Sequence, residues 1–168
     1  NFIKTNNFKV IKTNKITGGR LPASGPLTET YGEGLMIIGD AAGFTSPLFE
    51  GGTHLALKSG CIAADIAKKA VVLNNFSKEI FSLYQKEWGK IFPPYKKLLR
   101  GKNLYFNMPD DQLNLLAGYI PEEMKEIPIQ KKISTGLKML LKNPGLIKKG
   151  SIPIMKAFEY SRAGYYGW

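Results

Sequence analysis

Residues 34–60, "GLMIIGDAAGFTSPLFEGGTHLALKSG", hold the side chains whose types and order could do chemistry. An apolar run ends on Gly39-Asp40, small residues follow, then Pro47, the pair Gly51-Gly52 and a helical pattern from Thr53. A strand of this kind delivers Asp40 to its carboxyl end, where α/β architectures bind ligands. A carboxylate there can accept two hydroxyl hydrogen bonds, as from a sugar or ribitol chain. Ala41, Ala42 and Gly43 keep the surface low, so that a ligand can approach the backbone. Gly51 and Gly52 at a helix start offer bare N–H groups, which with the helix dipole favour negative charge. The segment suits a ligand that has hydroxyls at one end and gains electron density at the other. A bare Gly-Asp after an apolar run is better read as a turn in which Asp40 bonds nearby amides. The full order of strand, Gly-Asp-Ala-Ala-Gly, Pro, Gly-Gly and helix is what favours a ligand site.

The elements that must position these residues follow from periodicity. "GLMIIG" is short, continuous and apolar, the pattern of a strand buried on both faces. A helix is expected from Thr53 to about Leu73. Its stripe of Ala56, Gly60, Ala63, Ala64 and Ala67 would let it lie close against a neighbour, most simply the sheet. Upstream, Val10, Lys12, Asn14 and Ile16 alternate with Ile11, Thr13 and Lys15, suggesting an exposed strand. Gly18-Gly19 and Pro22 break it, and "PASGP" gives an extended connection. After Asn74-Asn75 the texture changes. Phe76, Ile80, Phe81, Tyr84 and Trp88 mark one side of a helix that Pro93-Pro94 ends or kinks. A short helix capped near Asp110 and a turn at Pro121 follow. In the basic segment 130–149, Ile133, Leu137, Leu140 and Leu141 share a face, while Lys131, Lys132, Lys138 and Lys142 lie mostly elsewhere. The chain closes on aromatics that include Tyr160, Tyr165, Tyr166 and Trp168. The shift at Asn74-Asn75 divides it into 1–74 and 75–168.

With 168 residues, 43% of them hydrophobic and 22% charged, the composition is that of a globular protein. The formal charge of +11 is uneven: residues 1–60 carry +2 and residues 61–168 carry +9. The partner implied is acidic, whether nucleic acid, an anionic membrane surface or an acidic protein. No nucleic-acid-binding motif accompanies the charge, which argues against nucleic acid. Cys61 is the single cysteine. It excludes an internal disulfide and any Cys-built iron–sulfur or zinc site within the chain, and the single His argues against other transition-metal sites. A reducing, cytoplasmic setting is the default. No apolar run approaches the ~18 residues of a membrane span. The first residue is Asn1 rather than methionine, as in a piece of something longer. Cys61, inside the small-residue stripe, reads as a buried inert thiol, and His54 as structural or exposed.

"SGPLTETYGEGLMIIGDAAGFTSPLFEGGTHLALKSGCIAADIA" resembles the second FAD-binding motif of the flavoprotein group that includes p-hydroxybenzoate hydroxylase. More narrowly, it is similar to the geranylgeranyl reductase family. The matching residues are Ser24, Gly25 and Pro26, then Gly39 to Gly43, Pro47, Gly51 and Gly52. The strong match covers about residues 18–73; the later helices resemble the family loosely. The resemblance implies an α/β (α+β) fragment of an FAD/NAD(P)-binding flavoprotein fold. Residues 1–74 would be the C-terminal part of its FAD-binding domain and 75–168 a helical region. It implies FAD contacts at Gly39, Asp40, Ala41, Pro47, Gly51, Gly52 and Thr53. Asp40 would hold a ribityl hydroxyl, and the amides around Gly51 and Gly52 would face the pyrimidine edge of the flavin. The implied reaction saturates carbon–carbon double bonds of isoprenoid chains in membrane-lipid precursors. Its substrate would be a prenylated lipid or prenyl diphosphate, with NAD(P)H or ferredoxin as electron donor. No proton donor is identifiable.

The family's G-x-G-x-x-G turn, which holds the FAD pyrophosphate, and its aromatic-proline substrate motif are absent from these 168 residues. The chain therefore resembles the C-terminal part of a flavoprotein and alone should not hold FAD tightly. Alternatives are a FixC-type electron-transfer flavoprotein dehydrogenase, whose ferredoxin-fused forms need more cysteines, and a flavin monooxygenase. An alternative of another class is a non-catalytic basic helical module. The segment 130–149 suits an anionic interface and a peripheral membrane position, with the terminal aromatics as a belt. The competing and favoured reading of 130–142 is an ordinary surface helix with its Ile/Leu face in the core; the aromatics are likewise more simply core.

Overall fold

The computed structural model describes residues 5, 9, 11, 12, 15, 17–119, 128–161 and 163–166. Most of the strand expected over 10–16, the turn at Pro121 and Trp168 lie outside the described residues. Ile11, Lys12 and Lys15 are described; they are exposed and carry no regular structure.

Among the described residues, two residue pairs form the sheet. β1 (Tyr31–Gly32) runs antiparallel to β2 (Leu35–Met36), with Tyr31 opposite Met36 and Gly32 opposite Leu35. This corrects the expectation for "GLMIIG". Only two of its residues are paired, and Leu35 and Ile38 are 53% and 44% exposed. Continuous apolarity does not separate a strand covered on both faces from a run covered on one. Here the cover comes from one side, where Tyr84 donates its hydroxyl to the carbonyl of Ile37 at 2.9 Å.

Helix α1 (Thr53–Val72) turns Leu55, Ser59, Ile66 and Ala70 inward, at the spacing of one helical face. Cys61 lies on the opposite side and is exposed, which corrects the buried-thiol expectation. Asn74, at φ 46°, and Asn75 then reverse the chain, with the Asn75 amide on the Ala70 carbonyl at 2.9 Å. Helix α2 (Lys78–Ile91) buries Phe81 and Tyr84; Phe76 precedes it and is half exposed. Pro93-Pro94 separates it from α3 (Tyr95–Phe106). In α4 (Asp110–Ala117), Pro109 occupies the cap position and no side chain caps the helix, so Asp110 sits in the first turn instead. There its charge and that of Asp111 still favour the helix dipole. The rest is α5 (Ile129–Lys142), α6 (Pro144–Lys148), α7 (Ser151–Tyr160) and α8 (Ala163–Tyr166).

Among the described residues, two hydrophobic clusters hold these elements. The first joins Phe44, Leu55, Ile66, Phe81, Tyr84, Phe92, Tyr95 and Leu98 with Ala157 and Tyr166. The second gathers Met108, Leu116, Met139, Leu146 and Ile154. Tyr166 is thus a core residue, and Tyr160 and Tyr165 pack half-buried against the first cluster.

The buried phenols make the fold sensitive to alkali. Burial pushes Tyr84 up to about 12, and Ser59 offsets this slightly. Burial also pushes Tyr166 up to about 12 and, with the neighbouring Tyr166, raises Tyr95 further. A raised folded-state value favours the neutral phenol, so this stability is present below the ordinary value of about 10. It is lost as the pH rises through about 12. In a spectrophotometric titration these three tyrosines should ionise above the ordinary phenol range, together with unfolding. Tyr84→Phe should cost about 1 kcal/mol at neutral pH through the lost hydrogen bond and reduce the alkaline slope of stability.

Candidate functional site

The residues around Asp40 form a single 3₁₀ turn, Gly39–Ala42, directly after the hairpin. Gly43 closes it in the left-handed region at φ 80° and donates its amide to the Asp40 carbonyl at 2.9 Å; the Phe44 amide reaches the Gly39 carbonyl at 3.1 Å. Asp40 therefore stands on a short turn rather than at the tip of a long strand.

Helix α1 forms one wall of this turn. A Cβ added at Gly39 would lie 3.2 Å from the Ala56 Cβ, and one at Gly60 would lie 4.0 Å from Ile38 Cδ1. The small-residue stripe is thus used as expected for close approach, but its neighbour at Ala56 and Gly60 is the Ile38-Gly39 turn rather than a broad sheet. Ser59 fastens the contact. Its Oγ accepts the Gly39 amide at 3.0 Å and donates to the Ala56 carbonyl at 2.8 Å. The segment Ser24-Gly25-Pro26 forms the other wall. The Leu27 amide donates to the Ala42 carbonyl at 3.0 Å, and the Gly43 Cα faces the Gly25 backbone.

The next residues turn inward and bring the chain back. Phe44 packs its ring edge-on against Trp88 and Phe92, at centroid distances of 4.9 and 4.8 Å. Thr45, Ser46 and Pro47 are buried. Ser46 then organises the return. Its carbonyl accepts the Glu50 amide, its hydroxyl accepts the Phe49 amide, and its own amide donates to the Gly51 carbonyl at 2.8 Å. Gly52 arrives beside Asp40: a Cβ there would lie 2.8 Å from Asp40 Oδ1 and 3.2 Å from the Phe44 carbonyl oxygen. Thr45 donates its hydroxyl to the same Oδ1 at 3.2 Å.

The sequence-selected residues are therefore brought together, with differing roles. Gly39, Asp40 and Ala41 share the turn, and Asp40 and Ala41 are exposed. Gly51 and Gly52 are half-buried and Thr53 is exposed at the helix start. Pro47 lies buried within the returning loop. No side chain caps α1 at Gly52. The first amide bonded back across the cap is Ala56, to the Gly52 carbonyl at 2.8 Å. The amides of Thr53, His54 and Leu55 precede that bond and belong to the orphan donors of a helix N-terminus. An exposed carboxylate, able to accept hydroxyls, thus adjoins donors that favour negative charge.

Ser59 and Thr45 were missed by sequence reasoning. For Ser59 a signal existed, because it is a hydroxyl on the inward face shared by Leu55, Ile62 and Ile66. For Thr45 there was none, since a five-residue offset implies no contact until the turn is known. His54 is half-buried in the first turn of α1.

No protein-family model matches the chain. It is 37% identical over 131 residues to a digeranylgeranylglycerophospholipid reductase from Methanocaldococcus jannaschii, covering 77% of this chain and 33% of that protein. A reductase of the same name from Methanococcus vannielii is 35% identical over 130 residues, covering 76% and 32%. Among solved structures, a geranylgeranyl bacteriochlorophyll reductase-like protein from Thermoplasma acidophilum superposes with a TM-score of 0.63 at 25% identity, covering 79% of this chain and 33% of that one. The chain spans about a third of the length of these relatives, and the match falls in their C-terminal portion.

Proposed function

We propose that this chain, similar in sequence and fold to the C-terminal portion of geranylgeranyl reductases, supplies the flavin-facing half of an FAD-dependent reductase that saturates double bonds in isoprenoid chains of membrane-lipid precursors. The observation that carries the proposal is the approach of the Asp40 carboxylate to Gly52 at the start of α1, where an added Cβ would lie 2.8 Å from Asp40 Oδ1. It sets a hydroxyl acceptor and a group of amide donors side by side, and a side chain at position 52 would fill the space between them.

The residues fit the cofactor. Asp40 would accept a ribityl hydroxyl, with Thr45 holding one of its oxygens in place. Ala41 leaves the approach low, while Gly39 lets α1 lie close against the turn. The amides around Gly51, Gly52 and Thr53 would meet the pyrimidine edge of the flavin, and Pro47 stiffens the loop that presents them. FAD, when bound, supplies hydride transfer, while the protein binds and orients it. The G-x-G-x-x-G grip on the pyrophosphate would come from a preceding part of a longer polypeptide or from a second chain. The substrate class is a prenylated lipid or prenyl diphosphate, and the electron donor is NAD(P)H or ferredoxin. Such a substrate favours a cytoplasmic protein that works at a membrane surface. Among the described residues no helix is long and apolar enough to cross a membrane.

The test uses the polypeptide that includes the pyrophosphate-binding part. It should purify with flavin absorbance, and Asp40→Ala should weaken FAD binding about tenfold to a hundredfold, the range of a lost hydrogen bond to a charged group. Unchanged affinity would remove Asp40 from the site, and absence of flavin would end the enzyme reading.

A further inference from the structure

Helix α5 is placed the opposite way round from the ordinary surface helix expected of residues 130–142. It is held through Met139, which is 1% exposed, accepts the Ser151 hydroxyl on its sulfur and belongs to the second cluster. Lys132 adds an ion pair to Glu159 of α7. The aliphatic side chains Ile129, Ile133, Leu137, Leu140 and Leu141 face away from that anchor and are 51–74% exposed. Their three- and four-residue spacing places them on one face, and only Met139, on the far side, reaches the core. Lys131 and Lys138 border the exposed face, and residues 128–149 contain six lysines and no acidic residue.

We propose that α5 docks flat on an anionic lipid surface. The five aliphatic side chains enter the boundary between headgroups and acyl chains, and Lys131 and Lys138 meet the phosphates. Charge complementarity selects the partner's sign, because the whole segment is cationic. The apolar face selects lipid over nucleic acid, which has no use for a row of aliphatic side chains. At 14 residues α5 is too short to span a bilayer but suited to lie in its interface. The inference rests on the lipid-substrate reading for the source of the surface, and on α5 alone for its geometry.

The experiment is co-sedimentation of the polypeptide that includes the pyrophosphate-binding part with vesicles of phosphatidylcholine alone or mixed with phosphatidylglycerol. Binding should appear with the mixed vesicles, be weak with the neutral ones, and fall at raised salt. Lys131→Glu with Lys138→Glu should lower the partition by more than about fivefold per lysine. Ile133→Gln with Leu137→Gln should lower it by about tenfold or more. These four side chains are exposed, so the thermal melt by circular dichroism should not change. No sedimentation with either vesicle, or binding that survives the glutamine pair, overturns the proposal. So does a dimer in solution that the glutamine pair dissolves, since a second copy would then cover the face. The readout contains no flavin, so its failure is distinct from failure of the cofactor site.

Discussion

Gly43→Ala should destabilise the fold by about 2–5 kcal/mol, the sum of two separate costs. The backbone at Gly43 has φ 80°, and an L-residue in the left-handed region costs roughly 1–2 kcal/mol. The added methyl would also meet the Gly25 carbonyl oxygen, with the Gly25 carbonyl carbon at 2.9 Å and the Pro26 Cα at 3.0 Å. All three are backbone atoms and cannot swing aside as a flexible side chain would. Overpacking of this kind costs roughly 1–3 kcal/mol, and a typical domain has only about 5–15 kcal/mol in total. Gly34→Ala is the control, because Gly34 has φ 64° and open space around its Cβ position. Urea unfolding of both variants separates strain from collision. Equal losses would mean that the Ser24-Gly25-Pro26 wall does not press on the turn.

Gly101→Leu should be comparably damaging where α3 meets α7, by about 2–4 kcal/mol. Gly101 lies where α3 crosses α7. A Cβ there would run into the Ala157 Cβ and lie 2.7 Å from the Pro153 carbonyl oxygen. The crossing buries Gly101 and Ala157 together, so a larger side chain must push the helices apart. Intrinsic helix propensity predicts the reverse, because replacing a helical glycine normally stabilises by roughly 0.5–1 kcal/mol. Gly89 in α2 is exposed with nothing within 4 Å of its Cβ position, so Gly89→Ala should show that gain. Chemical denaturation should therefore return opposite signs for the two glycines. A gain in stability for Gly101→Leu would show that α3 and α7 do not approach as closely as described.

What could be read from sequence was local. Thr53 to Val72 is helical because its inward face repeats at helical spacing. The break between α2 and α3 follows from Pro93-Pro94. The order of strand, small residues, proline and glycine pair put Asp40 and Gly51-Gly52 in one candidate site, but not the close approach of Asp40 to Gly52. What could not be read depended on which face finds a neighbour. Leu35 and Ile38 carry the apolarity of a buried strand, yet among the described residues they are covered on one side only. Cys61 sits among alanines, and a stripe of small residues does not reveal which of its members turns outward. The aliphatic face of α5 follows the amphipathic pattern of a core helix, but the second cluster takes up Met139 instead. In each case periodicity defines a face, and tertiary packing decides what meets it.

Phe44 follows Gly43, the last residue of the turn that carries Asp40, and its ring rests on Trp88, whose indole N–H donates to Thr30 Oγ1 at 2.9 Å. Trp88 is one of two tryptophans in the chain. The emission of its indole is thus coupled to the Asp40 turn through a single phenyl ring. Loosening of that turn would reach the fluorophore before it reached helix content, so intrinsic fluorescence and circular dichroism would part company where the site opens ahead of the fold.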